Sequence, residues 1–286
     1  MIIVTGGAGF IGSNLVKYLN SQGINDIIIV DDINDPRKLN NLVQLNFKRF
    51  IDVDKLDFKT IPPVVEKVFH CGAISSTTEQ DGKKLMEYNY QHTLRWVNYC
   101  DSVGAKLVYL SSASVYGNST TFNENDKFDP LNYYAVSKVL TERYIKISGN
   151  KNVWVFRPFN VYGNGEDHKD KQASPFTQFR KQFEETGSVN VFAGSQEIYR
   201  DFICVDDVVR ILADYTDSLP GVYNLGTGET RSFLEIAQLI SPLVHTIQFP
   251  VELRGKYQSY SKAFMGKLRN NLIGEYKFIT PEKFLS

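Results

Sequence analysis

The segment Ile2-Ile3-Val4-Thr5-Gly6-Gly7-Ala8-Gly9-Phe10-Ile11-Gly12 sets an apolar, β-branched run directly against glycines at 7, 9 and 12, and this constrains the fold more tightly than anything else in the chain. Gly-x-Gly-x-x-Gly between a strand and a helix allows a tight turn, close approach of backbone to a pyrophosphate, and helix–sheet contact without a Cβ. The open amides and the helix dipole at that turn favour phosphate. Leu15, Val16 and Leu19 recur at helical spacing and predict a helix over Gly12–Ser21. A second strand, Ile27–Asp31, ends on an acid placed to accept hydrogen bonds from an adenosine ribose. Strand, glycines, helix and acid in this order point to a dinucleotide site, where the glycines alone would describe an ordinary turn. By charge, Asp31 favours NAD over NADP. Arg37 and Lys38 follow closely and read either as partners of a 2′-phosphate or as a solvated charge pair, so the residues leave the two cofactors open.

Beyond this unit, short β-branched runs alternate with helical patterns. Strands are expected at Val68–Cys71, Leu107–Ser111 and Val153–Phe156, with helices over Tyr88–Asp101 and Tyr133–Ser148. After Arg157-Pro158 the pattern changes. Gly163–Gln182 reads as a polar loop and helix over a cleft; a strand at Val189–Phe192, a helix over Asp206–Asp217, a strand at Val222–Gly226 and a helix over Ser232–Ile240 follow. The expectation is an α/β fold. A doubly wound parallel (Rossmann) sheet would be formed by residues 1–164 and 204–227, with a smaller discontinuous substrate lobe from 165–203 and 228–286. Lys+Arg and Asp+Glu balance at 32 each, which leaves no footprint for nucleic acid. No apolar run nears the roughly 20 residues of a membrane span, and the first strand leaves no room for a signal peptide. Cys71, Cys100 and Cys204 are too scattered for a disulfide framework or a metal site. A soluble cytoplasmic protein is expected.

Tyr134 and Lys138 are four apart and share one helix face. A free phenol titrates near 10, too high for a base at neutral pH. A neighbouring ammonium, with the positive charge of an oxidised nicotinamide, is expected to lower that value. Ser112 closes a strand at the carboxyl edge where ligands bind, and its hydroxyl can hold the substrate oxygen. With these residues the chain resembles the extended short-chain dehydrogenase/reductase family. The resemblance implies Ser112, Tyr134 and Lys138 as a catalytic set, Asn89 as a residue beside the cofactor, and hydride exchange with nicotinamide. Dehydratases of that family carry an Asp-Glu pair where this chain has Ala113 and Ser114, so dehydration is disfavoured.

Further stretches narrow the resemblance: Ser75-Ser76-Thr77-Thr78-Glu79-Gln80-Asp81-Gly82, Phe156 to Gly163, Glu166-Asp167-His168-Lys169, Phe192-Ala193-Gly194-Ser195, Arg200-Asp201-Phe202 and Gly255-Lys256-Tyr257-Gln258. They are similar to the ADP-glyceromanno-heptose 6-epimerase family. This implies NADP as cofactor (with NAD left open), an ADP-heptose or related nucleotide sugar as substrate, and a homo-oligomer, commonly a pentamer. The carbon such an enzyme inverts has no adjacent carbonyl, so its hydrogen is not acidic; transient oxidation to a ketone and return of the hydride to the other face inverts it. Each face then needs a proton carrier, and the resemblance assigns Tyr134 to one and Lys169 to the other. It implies cofactor contacts from Gly6, Gly7, Gly9, Phe10, Ile11, Gly12, Asp31, Asp32, Lys38, Cys71, Gly72, Ala73, Asn89, Val161, Tyr134, Lys138 and Lys169. Substrate contacts are implied for Ser75, Asn160, Lys171, Phe192, Ala193, Gly194, Ser195, Arg200 and Tyr257. Three departures stand out: Val53 where a lysine is usual, Lys171 where a serine is usual, and an end at Phe284-Leu285-Ser286 short of the usual last helix. A UDP- or GDP-sugar 4-epimerase or reductase, and a catalytically silent dinucleotide-binding scaffold, are the competing readings.

Overall fold

Ile2–Thr5 (β1) is buried along its whole length, and it organises a sheet. The computed structural model describes residues 1–214, 219–249 and 258–286. In chain order the strands that follow are β2 Ile27–Asp31, β3 Arg49–Asp52, β4 Lys67–His70, β5 Lys106–Leu110, β6 Val153–Pro158, β7 Asn160–Tyr162, β8 Val189–Phe192, β9 Tyr199–Arg200, β10 Phe202–Cys204, β11 Gly221–Leu225, β12 Arg231–Ser232, β13 Val244–Ile247 and β14 Tyr260–Ser261. The helices are α1 Phe10–Ser21, α2 Gly82–Leu85, α3 His92–Val103, α4 Tyr133–Ser148, α5 Pro175–Thr186, α6 Val205–Asp214, α7 Phe233–Ile240, α8 Gly266–Leu268 and α9 Pro281–Leu285.

Seven strands form one parallel sheet in the order β11-β6-β5-β4-β1-β2-β3. The connection reverses direction between β1 and β4, and a crevice opens at their carboxyl ends. Both faces are covered, so adjacent residues such as Ile3 and Val4 enter different cores. One core packs Val4, Leu15, Val16 and Ile29 with residues of α6; the other packs Ile3, Val68, Trp96, Tyr109 and Ile145. A third cluster, including Tyr162, Phe176, Val189, Ile198, Phe202, Phe233 and Ile236, joins α5, α7 and β8. Among the described residues no helix is long and apolar enough to cross a membrane.

The strands and helices read from the sequence recur with small shifts at their ends. Residues 215–217 of the helix expected to end at Asp217 lie outside the described residues. The edge strand β3 was not anticipated: of its four residues only Ile51 is buried, so it carries almost no hydrophobic signature. The helix expected over Tyr88–Asp101 is a π-helical turn over Met86–Gln91 that runs into α3. The wider turn brings Asn89 inward, where it is fully buried.

Candidate active site

The glycine loop forms the floor of the crevice. Gly6 has φ +66°, and a Cβ there would lie 2.6 Å from the backbone nitrogen of Gly72 on the next sheet connection. A Cβ on Gly12 would run into the carbonyl oxygen of Gly6. Gly9 is the N-cap of α1, which has neither a side-chain cap nor an acid in its first turn. Its first amides therefore present partial positive charge to the crevice. This backbone cradle fits a dinucleotide pyrophosphate. Gly7 serves from behind: a Cβ there would press on the Ile29 side chain.

Asp31 is buried at the end of β2 and already engaged. Its carboxylate accepts from the backbone of Ala8 at 2.8 Å and of Asp32 at 2.7 Å, and from Lys38 Nζ at 3.0 Å. Lys38 also pairs with Asp32 at 3.2 Å. Burial works against the Lys38 charge, but Asp31 and Asp32 outweigh it and raise its pKa. Lys38 is thus no solvated loop charge; it is a half-buried cation at the ribose end of the crevice. Arg37 also lines the crevice but is held by other partners. It grips Asp35 and, with both terminal nitrogens, Asp170 at 2.5 and 2.7 Å, and donates to the carbonyls of Asp167 and His168.

At the other end of the crevice lies the Ser–Tyr–Lys set. Ser112 accepts from the backbone amide and hydroxyl of Ser114 at 3.1 and 2.9 Å, which fixes it above the strand end. Asn132 caps α4 by accepting from Ala135, and the helix turns Tyr134 and Lys138 inward, both buried. Lys138 Nζ donates to the Leu110 carbonyl at 2.8 Å and lies 5.8 Å from the Tyr134 ring centre. Burial pushes the Lys138 ammonium down to about 7, with Glu142 opposing. The lysine by itself does not lower the tyrosine. Burial raises the Tyr134 phenol above its ordinary value, and only a hydrogen bond with Ser112 opposes the rise. The ammonium points at a carbonyl, so a phenolate needs additional positive charge beside it.

One cleft of about 1380 Å³ joins both ends. Of the residues singled out from the sequence, it is lined by Gly6, Gly9, Phe10, Ile11, Gly12, Asp31, Asp32, Arg37, Lys38, Val53, Cys71, Gly72, Ala73, Ser75, Tyr134, Lys138, His168, Lys169 and Lys171. Burial pushes the Cys71 thiol up to about 12, which leaves it an inert wall. Lys169 lies on a 3₁₀ segment over Asp167–Gln172, with Nζ 3.6 Å from Glu166 and 5.3 Å from the Phe10 ring centre. Glu166 is itself buried and accepts from the Ser174 amide, the Ser174 hydroxyl and the Thr177 hydroxyl, each at 2.7 Å. The start of α5 therefore fixes the carboxylate that fixes the lysine. His168 contacts the Asn41 amide at 3.5 Å, and burial lowers its pKa.

Other candidates stand apart from this cleft. Asn89 faces the interior: its side chain exchanges hydrogen bonds with the backbone of Ile74 at 2.8 and 3.0 Å and donates to Ser137 at 3.1 Å. It tethers the 72–75 loop to α4 without reaching the crevice. Val161 packs against the first core. Asn160 donates weakly to the Asp201 carbonyl and Ser261 hydroxyl, both at 3.4 Å. Arg200 reaches the carbonyls of Tyr199 and Gln258 and lies 5.5 Å from the Phe233 ring. Its neighbour Asp201 is occupied by the amides of Thr227, Gly228 and Ala263 and by the Thr227 hydroxyl. Phe192 stacks edge-on against Phe249, with Ala193, Gly194 and Ser195 in the turn after β8. Tyr257 lies outside the described residues.

Sequence reading missed a buried polar network behind the site. Arg157 on β6 donates twice to Glu142, at 3.0 and 2.6 Å, and once to the Tyr116 hydroxyl at 2.8 Å; Ser111 donates to the same Glu142 at 2.5 Å. Glu142 stands one turn beyond Lys138, so an acid on that inward face was the available signal.

Comparison with known proteins places this architecture. The model of the NAD dependent epimerase/dehydratase family matches residues 2–226. The chain belongs to that family. It is 42% identical over 288 aligned positions to the ADP-L-glycero-D-manno-heptose-6-epimerase of Brachyspira hyodysenteriae, covering 94% of this chain and 91% of the relative. A Helicobacter pylori ADP-L-glycero-D-manno-heptose-6-epimerase crystal structure superposes with a TM-score of 0.86 at 26% identity, covering 99% of this chain and 93% of that one. A Methanobrevibacter ruminantium UDP-N-acetylglucosamine 4-epimerase shares the fold, with a TM-score of 0.84 at 24% identity over 99% and 94% of the two chains.

Proposed function

We propose that this chain interconverts ADP-D-glycero-D-manno-heptose and ADP-L-glycero-D-manno-heptose. The observation that carries the reading is the placement of Tyr134 and Lys169 on one cleft, in a chain 42% identical over most of its length to a relative of that name. The cradle of Gly6, Gly9 and Gly12, with Asp31 and Lys38 beyond it, would hold a nicotinamide dinucleotide. When bound, that group supplies reversible hydride storage and a positive charge. We read it as NADP because Lys38 offers a half-buried ammonium at the ribose end.

Ser112 holds the sugar hydroxyl and Tyr134 takes its proton. Lys138 and the cofactor's charge together stabilise the phenolate that burial alone disfavours. Lys169 carries the proton on the opposite face of the transient ketone, its ammonium set by Glu166. In this reading residues 165–203 and 228–286 form the substrate lobe, and Asn160, Arg200, Tyr257 and the Phe192–Ser195 turn bind the nucleotide end. A guanidinium suits a diphosphate because its donors are parallel.

The test is conversion of ADP-D-glycero-D-manno-heptose by purified protein with no net use of NADPH. Lys169→Ala should lose inversion by about 10²–10⁴-fold, the range of a general acid–base group, while cofactor stays bound. Retained turnover in that variant would overturn the two-base assignment. Mass spectrometry of the co-purifying dinucleotide decides between NADP and NAD.

A further inference from the structure

If Lys138 is to act on Tyr134 it must keep its charge, yet it is buried and its hydrogen-bond acceptor is a neutral carbonyl. The face of the Tyr109 ring lies closer to it than Tyr134 does: Nζ is 4.9 Å from the Tyr109 ring centre. Tyr109, on β5, is wholly buried, and its hydroxyl makes no hydrogen bond of ordinary geometry among the described residues. The nearby Thr141 hydroxyl donates to the carbonyls of Ser137 and Asn89 and can still accept from the phenol.

Against the ring packs His70, its register partner on β4, centroids 5.9 Å apart and planes at 22°. Its protonation follows from its neighbours. The Thr93 hydroxyl donates to the Asn89 carbonyl at 2.7 Å and so accepts from His70 Nε2 at 2.8 Å. His70 Nδ1 is then the acceptor for the Thr5 hydroxyl at 2.7 Å, and Thr5 accepts in turn from the Gly72 amide. The network assigns a neutral imidazole, and burial reinforces it by lowering the His70 pKa to about 3. Lys138 therefore meets a ring whose stacking partner is uncharged.

We propose that Tyr109 is a positioning residue for the reaction: its ring face, packed with neutral His70, keeps the Lys138 ammonium charged and in place beside Tyr134. This rests on the reading of Lys138 given above. The titratable groups around Lys138 are Tyr134 and Glu142 on its own helix, His70 and Cys71 from the end of β4, and Tyr109 from β5. Glu142 is already shared by Arg157 and Ser111, which leaves the ring as the uncommitted source of negative potential.

The experiment uses full-length protein with its cofactor and ¹³C-labelled lysine, the Lys138 signal being assigned by its loss in Lys138→Met. Tyr109→Phe keeps the ring and should leave the Lys138 midpoint and the pH profile of kcat unchanged. Tyr109→Leu should lower that midpoint by about 0.5–1 pH unit and move the alkaline limb of kcat down with it. Should Tyr109→Leu fold poorly, ring-fluorinated phenylalanines at 109 keep the shape and should lower the midpoint progressively with fluorination. A midpoint indifferent to fluorination overturns the proposal. A midpoint that moves while the kcat profile stays fixed overturns its catalytic part, together with the use of Lys138 that it assumes.

Discussion

Arg157→Met tests whether the catalytic helix is held by a matched pair of buried charges. Arg157 is 1% exposed and donates four hydrogen bonds: two to Glu142, one to Tyr116 and one, at 3.3 Å, to the Glu124 carbonyl. Methionine fills similar space but leaves Glu142 with Ser111 as its remaining donor among these partners. Removing one partner of a buried pair costs about 3–5 kcal/mol, mostly from the stranded charge. In a chain of this size each kcal/mol moves Tm by about 2 °C, so a fall of roughly 6–10 °C is expected. The double variant Arg157→Met/Glu142→Leu strands no charge. It should recover most of the loss, leaving about 1–2 kcal/mol for the unmatched Tyr116 and Glu124 groups. Denaturant titration of wild type, both singles and the double closes the cycle. If the double is no more stable than Arg157→Met, the stranded-charge argument is wrong.

Three further outcomes are expected. Gly12→Ala should abolish NAD(P) binding, measured by calorimetry, because the new methyl collides with the Gly6 carbonyl and distorts the phosphate cradle; unaltered affinity would contradict this. His70, neutral in the fold with a pKa near 3 against 6.5 when unfolded, contributes stability that is complete above pH 6.5 and lost progressively as pH falls toward 3. His70→Leu should therefore be less stable at pH 7 but show a shallower decline in urea midpoint between pH 6.5 and 4. Arg37→Ala should leave Tm nearly unchanged, since the pair is exposed, while amides of residues 166–172 exchange faster as Asp170 and two carbonyls lose their donor.

The dinucleotide half of the site was legible because its determinants are local: a strand, three glycines and a helix within twelve residues, then an acid at the end of the next strand. Tyr134 and Lys138 were legible for the same reason, through helical spacing. What escaped depends on residues brought together from distant segments. Nothing near Thr5 announces His70 as its partner, or Thr93 as the partner of His70, and nothing near Tyr116 announces Asn224, which accepts from it at 2.6 Å. The acceptor of the Lys138 ammonium was not legible either, because spacing shows that a lysine is near Tyr134 without showing that it faces the Leu110 carbonyl. The inward turn of Asn89 escaped too, because a π-helical turn leaves no trace in hydrophobic periodicity.

The loop that bears Lys169 is held from the opposite end of the chain: Asn14 donates to the Asn164 carbonyl at 2.8 Å, Asn41 reaches Gly165 and His168, and Arg37 grips Asp170. A chimera that joined the first fifty residues of another family member to the rest of this one would keep every residue given a proton-carrying role here and still misplace one of them. Crossover points for recombining these enzymes thus have to spare such reciprocal contacts, and the front of the gene constrains the evolution of its middle.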